Sequence, residues 1–409
     1  MPTILFLSAS ERWNLGDLLF PIVFKHLTDE HGLNFTNVGI ASFSFDDEDI
    51  IDVEPITKYF GTKDVVLIVG GGEVLGATIT TLIEFLPDDN KLKKDLKSLS
   101  TTFRNYDWVP SRVSGVLRNI MRGRLASKLQ AKFGILSKRP LPFYTAVMPD
   151  ARRYYLPVGG KFHKSGNSIL ALSKSRTLRI AGRDQRTLKF LPEELNPQLC
   201  PDPVSTIKNV FQGSEHKKRQ VVIQFSEHKI PFGIQHLAEA LTILRKQNYE
   251  IVGLAIGRCP GHHDVSSLSS LQSIFPDMIT YFDLSVKASV NLLSESEVYI
   301  GTSLHGAIIA HAYGTAIIAI DEKVPKLRSY LSTWMPKHSF HLSQETDYDD
   351  MKSFLEQFDT QAASRNANRL AEMTQSYMQE VIEHAYNSVS TTPQNPKGQK
   401  SQSRSQVNG

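Results

Sequence analysis

Residues 301–320 read GTSLHGAIIAHAYGTAIIAI, and the fold turns on them. The run EVYIG (297–301) leads in, AIIAID (316–321) leads out, and between them lies an apolar segment of helical length that Gly314 ends. Strand, helix and strand in so short a span make a βαβ unit, whose apolar flanks suit parallel strands buried on both faces. The unit sets Gly301, His305 and Gly306 where strand gives way to helix. A parallel sheet offers free N–H groups and a positive dipole end at that seam, which suits an anion.

The same alternation runs through the chain. TILFLSA (3–9), VVLIVGGG (65–72), YTAVMPD (144–150) and TLRIAGRD (177–184) read as strands. NLGDLLFPIVFKHL (14–27), SGNSILALSKS (165–175) and QRTLKFLPEEL (185–195) read as helices between them. A proline-rich seam, LPEELNPQLCPDPV (191–204), breaks the rhythm. It then restarts with RQVVIQFS (219–226), IQHLAEALTILRKQ (234–247), EIVGLAIG (250–257) and VKASVNLLSES (286–296). Short apolar runs alternating with helices predict an α/β fold of two parallel-sheet units, with ligands beyond the carboxyl ends of the strands.

The expected organisation is an N-terminal unit over 1–198 with a basic helical insertion at about 88–140, and a C-terminal unit over 199–345. Helices follow over 346–388, and a tail over 389–409 is too poor in apolar residues to order itself. Within the insertion, residues 112–139 carry Arg112, Arg118, Arg122, Arg124, Lys128, Lys132, Lys138 and Arg139 and no acid. Val113, Leu117, Met121, Leu125 and Leu129 recur there at four-residue steps. Such a helix suits an anionic membrane surface or a pyrophosphate-bearing acceptor; it equally suits an insertion packed by one stripe with a solvated basic face.

Of the 409 residues, 41% are hydrophobic and 22% charged, ordinary for a globular chain with two cores. The net charge is +4, and Lys397, Lys400 and Arg404 in the tail account for three of those charges. A bulk basic surface for nucleic acid is therefore not expected. Two isolated cysteines, Cys200 and Cys259, make neither a disulfide framework nor a zinc site. No basic region precedes the opening apolar run, and no stretch has the ~18 apolar residues of a spanning helix. The expected location is cytoplasmic, with peripheral membrane contact through residues 112–139.

Four strand-end loops carry candidate chemistry. Asn14, Gly16 and Asp17 lie between the first strand and first helix, where Asn or Asp caps as readily as it binds. Gly70, Gly71 and Gly72, followed by Glu73, let a ligand or another backbone approach closely. Arg183 and Asp184 end a strand; Arg pairs naturally with carboxylate or phosphate, and a surface Arg–Asp pair would look the same. Ser303, Leu304, His305 and Gly306 open the helix of the first-quoted stretch, where His305 can serve as base or, once protonated, as acid. His311 reads as a core histidine, and Gly261–Asp264 as a polar loop. Neither metal-ligand spacing, a nucleophile elbow, a P-loop nor a dinucleotide fingerprint occurs, so no metal or cofactor is expected.

The order Asn-Leu-Gly-Asp, Gly-Gly-Gly, Arg-Asp, Asp202-Pro203 and Leu-His-Gly resembles the polysaccharide pyruvyl transferase family over roughly residues 4–325. The resemblance implies two Rossmann-like domains facing a cleft, as in the GT-B glycosyltransferase architecture, with C-terminal helices packing back across both. It implies transfer of the enolpyruvyl carbons of phosphoenolpyruvate to two hydroxyls of a sugar, free or lipid-linked, giving a pyruvate ketal and phosphate. Carried over by position, His305 and Asp17 are the catalytic candidates. Arg183, Ser303, Leu304 and Gly306 fall to the donor, and Asn14, Gly16, Gly70, Gly71, Gly72, Glu73 and Asp184 to the cleft wall and acceptor.

This chain has Ser303 where the family commonly has an arginine before Leu-His-Gly. A hydroxyl hydrogen bond worth about 0.5–1.5 kcal/mol replaces a charge-assisted one worth about 1.5–3. Either another cation compensates, for which Arg258, Lys323 and Arg328 are the candidates, or the donor differs. Two alternatives share the fold: a glycosyltransferase with a nucleotide-sugar donor, whose ribose would want Asp321 or Glu322, and a member without catalysis.

Overall fold

The computed structural model describes residues 3–94, 127–137, 141–160, 169, 171–172, 175–214 and 216–390. Among them, thirteen strands form two parallel sheets. The first contains β1 (Thr3–Leu7), β2 (Thr36–Gly39), β3 (Glu54–Pro55), β4 (Val65–Val69), β5 (Arg152–Val158), β6 (Thr177–Gly182) and β7 (Gln198–Leu199), in the order β3-β2-β1-β4-β5-β6-β7. The second contains β8 (Lys218–Gln224), β9 (Glu250–Leu254), β10 (Ile279–Tyr281), β11 (Ser296–Gly301), β12 (Ala316–Ala319) and β13 (Ser339–His341), in the order β10-β9-β8-β11-β12-β13. Every residue of β4 is buried, as a near-continuous apolar run between two helical layers requires. Strand order reverses between β1 and β4 in one sheet and between β8 and β11 in the other, the crevice where such sheets hold ligands.

One expected strand is a helix. YTAVMPD begins within the single turn Phe143–Ala146, and Met148 follows at φ 48°. The strand is β5, RRYYLPV, whose leading arginines hide its apolar run from a hydropathy reading. Arg153 is fully buried because its guanidinium takes the carbonyls of Thr145, Val147 and Met148, closing the end of that turn. QRTLKFLPEEL is likewise no single helix. Asp184 caps one turn, Gln185–Leu188, and Pro192 precedes a separate 3₁₀ turn at Glu193–Leu195. Of SGNSILALSKS, the described residues 169, 171 and 172 are helical.

The two halves are joined near the cleft by main-chain bonds. Leu15 N–H donates to the Ile256 carbonyl and Arg258 N–H to that of Trp13, both at 3.1 Å. Behind them, one continuous core holds Phe6 and Leu18 of the first half with Val222 and Ile308 of the second and Leu370 of the last helix. That helix, Thr360–Ser390, returns across both sheets. Tyr377 donates its hydroxyl to the Tyr155 carbonyl at 2.9 Å on one side, and Asn366 lies 3.0 Å from His311 Nε2 on the other. His311 is accordingly a packed core histidine, 1% exposed, and burial pushes it down to about 3.

The described end of the basic insertion buries Leu129, Phe133 and Ile135 in the first sheet's core. Residues 112–126 and 138–139, on which the membrane reading rests, lie outside the described residues, as does the tail from 391. Among the described residues, no helix is long and apolar enough to cross a membrane.

Candidate active site

A cavity of about 420 Å³ lies between the sheets, walled by the loops after β1, β4 and β6 on one side and those after β8, β9, β11 and β12 on the other. From the loop after β1 come Arg12 and Asn14, and from the first turn of the helix Leu15–Glu30 comes Asp17. Neither polar side chain spends itself as a helix cap. Asn14 holds the N-cap backbone position but places Nδ2 3.4 Å from His262 Nε2, across the cleft. Asp17 Oδ2 accepts from Arg12 at 3.1 and 3.2 Å. Gly16 has no room for a side chain, since a Cβ there would fall 1.7 Å from His305 Nδ1.

The three glycines after β4 divide. A Cβ on Gly70 would strike Phe6, and one on Gly71, at φ +74°, would strike Phe20. These two serve the packing of their own domain and do not line the cavity, whereas Gly72 does. Glu73 follows and lies between Arg183, at 3.0 Å, and Arg186.

Arg183 and Asp184 are not a surface pair; both are fully buried. Arg183 donates to Asp202 at 2.9 Å and to Glu73, leaving Nε without a partner. Burial acts to lower its pKa, but Asp202, Glu73 and Asp184 outweigh that and push it up. Burial alone would raise the Glu73 carboxyl; Arg183, Lys326 and Arg186 instead hold it below the usual range. Asp184 accepts from Thr187 N–H at 2.7 Å as a helix cap, and it does not reach the cavity.

His305 stands at the start of the helix Leu304–Ala312, 8% exposed. Its ring meets the edge of Phe20 at 5.2 Å between centroids. Its Nε2 is buried without a hydrogen-bond partner, 3.7 Å from Asp202 Oδ2. Burial would raise the Asp202 carboxyl, yet His305, Arg183 and the Val204 N–H hold it down. Ser303 is the helix cap: its Oγ accepts the Gly306 N–H at 3.2 Å. Gly306 packs against the Tyr299 hydroxyl instead of lining the cavity. Leu304 lines it from the edge of the core.

The three cations expected to stand in for an arginine at 303 are engaged elsewhere. Arg258 lies over the Trp13 ring and donates to the Leu284 carbonyl, Lys323 donates to Ile230, and Arg328 pairs with Asp321. None of them lines the cavity. Among the described residues, the cationic side chains that do are those of Arg12, Arg183, Arg186, Lys229 and Lys326. Gly261–Asp264 is more than a polar loop. Asp264 is buried and accepts the N–H groups of Ile256 and Gly257 together with Gln224 and Ser226, which pins the loop after β9. That loop turns His262 into the cavity, where burial, with Lys229 adding to it, pushes its pKa down to about 3, so it is neutral near pH 7. Tyr144 and Phe85 complete an apolar stretch of wall with Val74, Ala77 and Leu82.

Two parallel sheets facing a cleft at their strand-order reversals, with a last helix packed across both, define the GT-B class. Solved structures bear this out. A UDP-N-acetylglucosamine 2-epimerase superposes with a TM-score of 0.52 at 10% identity, covering 97% of this chain and 100% of its own. A UDP co-structure of MnaA from S. aureus gives 0.50 at 10% identity, covering 96% and 99%. At such identity the likeness is one of fold alone.

Within that class, residues 152–323 match the family model described as polysaccharide pyruvyl transferase, the family that the motif order resembles. The match takes in Arg183, Asp202 and His305 and supports a transferase. No curated protein sequence matches the chain.

Proposed function

We propose that the protein transfers the pyruvyl carbons of phosphoenolpyruvate to two hydroxyls of a saccharide in a polysaccharide or its lipid-linked precursor. The observation that carries this reading is His305, buried at a helix start with a partnerless Nε2 against Asp202, in a cleft lined with cations. The reaction adds one sugar hydroxyl to C2 of the enol while the methylene carbon takes up a proton and becomes a methyl group. The second hydroxyl then displaces phosphate at the same carbon, closing the ketal and releasing a proton.

Protonated His305 gives the proton to the methylene carbon, with the Asp202 carboxylate 3.7 Å from its Nε2. Asp17, which meets Arg12 through Oδ2 alone, has Oδ1 for the attacking hydroxyl. Asn14 and neutral His262 supply further hydrogen bonds to an acceptor, and Phe85 and Tyr144 an apolar face. A nucleotide-sugar donor is the second reading that the GT-B fold accommodates. Of the two residues expected to hold its ribose, Asp321 is buried against Arg328 and His341 and Glu322 is exposed, and neither lines the cavity.

The test is proton NMR of phosphoenolpyruvate with candidate glycosides in D₂O, read for a ketal methyl carrying deuterium beside released phosphate. His305→Gln is expected to lower kcat by about 10²–10⁴ while calorimetric donor binding persists. Turnover of a nucleotide sugar with no phosphoenolpyruvate binding would overturn the reading.

A further inference from the structure

We propose that the first domain carries a second carbohydrate site, remote from the cleft and independent of the donor assignment, that takes a neutral sugar ring. The cleft lies beyond the carboxyl ends of the strands. A second cavity, of about 690 Å³, lies at the amino ends of β4, β5 and β6, three neighbours in the first sheet. The five residues of β4 set the two cavities roughly 15 Å apart. Walls come from the loops that enter those strands, and the turn at Phe133 and Gly134 closes one side.

The charges around this cavity point to its ligand. Lys63, Arg152 and Arg176 line it together with Asp64 and Asp150. Lys63, Asp64, Asp150 and Arg176 form no ion pair and no side-chain hydrogen bond among the described residues. Both signs of charge therefore face one space without neutralising each other. A phosphate would meet two carboxylates there, and a metal cation three basic groups, so neither simple ion is matched. A sugar suits both signs at once, since each hydroxyl can donate to a carboxylate and accept from a guanidinium or ammonium N–H.

The apolar part of the wall fits the same ligand. Phe60 is 37% exposed and lines the cavity beside Met148 and Pro149. A pyranose has a C–H face that an aromatic ring covers, and a few polar groups set around such a surface are the usual make-up of a small-molecule site. The backbone of these loops is also unusual. Asp64 at φ 55° and Met148 at φ 48° are two of the four non-glycine residues with positive φ among the described residues, and both line this cavity. Methionine has no local hydrogen bond to offset that conformation, so its surroundings hold it there, as happens at ligand clamps. In a polysaccharide transferase, a glycan held at a second point would keep its reacting unit near the cleft between encounters.

The experiment is saturation-transfer proton NMR on the full chain with the methyl glycosides of glucose, galactose, mannose and N-acetylglucosamine, beside phosphorus NMR of inorganic phosphate. The proteins are wild type, Phe60→Ala, Asp64→Asn and Arg176→Gln at the second cavity, and Asn14→Ala at the cleft. All three positions at the second cavity are exposed, and asparagine tolerates the backbone of position 64, so melting temperatures should stay together. At least one glycoside is expected to bind with an affinity that each of the three substitutions lowers by at least about fivefold, and that Asn14→Ala leaves unchanged. Glycoside binding equal in wild type and the three variants, or no glycoside binding by wild type, would overturn the site. Phosphate binding that Arg176→Gln removes, without glycoside binding, would overturn it in favour of an anion site. No phosphoenolpyruvate enters the test, so its failure leaves the donor reading untouched.

Discussion

His305 and Gly16 meet across the cleft so closely that a single methyl group separates a working site from a blocked one. With a Cβ 1.7 Å from the imidazole Nδ1, Gly16→Ala must push the ring, the loop or both. Overpacking of this kind costs about 1–3 kcal/mol of stability, and a displaced ring of about 1 Å costs roughly 10²-fold in rate. A folded Gly16→Ala protein with a modestly lower melting point and kcat reduced about 100-fold is the expected result. Wild-type turnover would show that the contact has no bearing on the chemistry. The short motifs around this pair were legible because each occupies consecutive positions at a strand end. Lys229, His262 and Lys326 were not: one lysine or histidine in a loop carries no pattern, and only the fold brings them together.

Among the elements, the helix Leu304–Ala312 shows how one side chain settles two questions. Ser303 occupies a position expected to meet the donor, but its Oγ is spent on the Gly306 N–H. Ser303→Ala should cost about 1 kcal/mol, the usual value of an N-cap, read by chemical denaturation. Affinity for phosphoenolpyruvate should be unchanged; a tenfold loss would return Ser303 to the donor site. Strands whose every residue is apolar, such as β4, were plain in the sequence. β5 was not, because two arginines open it, and Arg153 earns its burial only through carbonyls supplied by the turn before it. The apolar run YTAVMPD misled for the complementary reason, since its burial comes from a capped turn.

On the scale of the molecule, the core runs unbroken from the first sheet through the second to the last helix, so the halves should unfold together. Glu11 adds a pH dependence to that transition. It is fully buried, neither carboxylate oxygen has a hydrogen-bond partner, and burial pushes its pKa up to about 7, with Arg12 opposing. A carboxyl raised on folding contributes stability that is complete below the unfolded value of 4.5 and is lost as pH climbs through about 7. His262 and His311, both pushed down to about 3, act in the opposite sense up to the unfolded histidine value of 6.5, so the Glu11 contribution is read as a difference: Glu11→Gln should gain melting temperature relative to wild type as pH rises from 5 to 7.5. A constant difference between the two proteins across that window would refute the assignment. Asp202 and Glu73, held low by their cations, act in the opposite sense, and only at more acidic pH.

The two halves meet at the cleft through the amide and carbonyl groups of Trp13, Leu15, Ile256 and Arg258. Those groups are common to every amino acid apart from the proline N–H. The main-chain part of the seam therefore survives replacement of the side chains around it, and Arg12 and Asp17, which point into the cavity beside it, pair with each other and not across it. An acceptor preference can drift or be redesigned at these positions while the meeting of the domains stays fixed, because geometry is written in the backbone there and selectivity in the side chains.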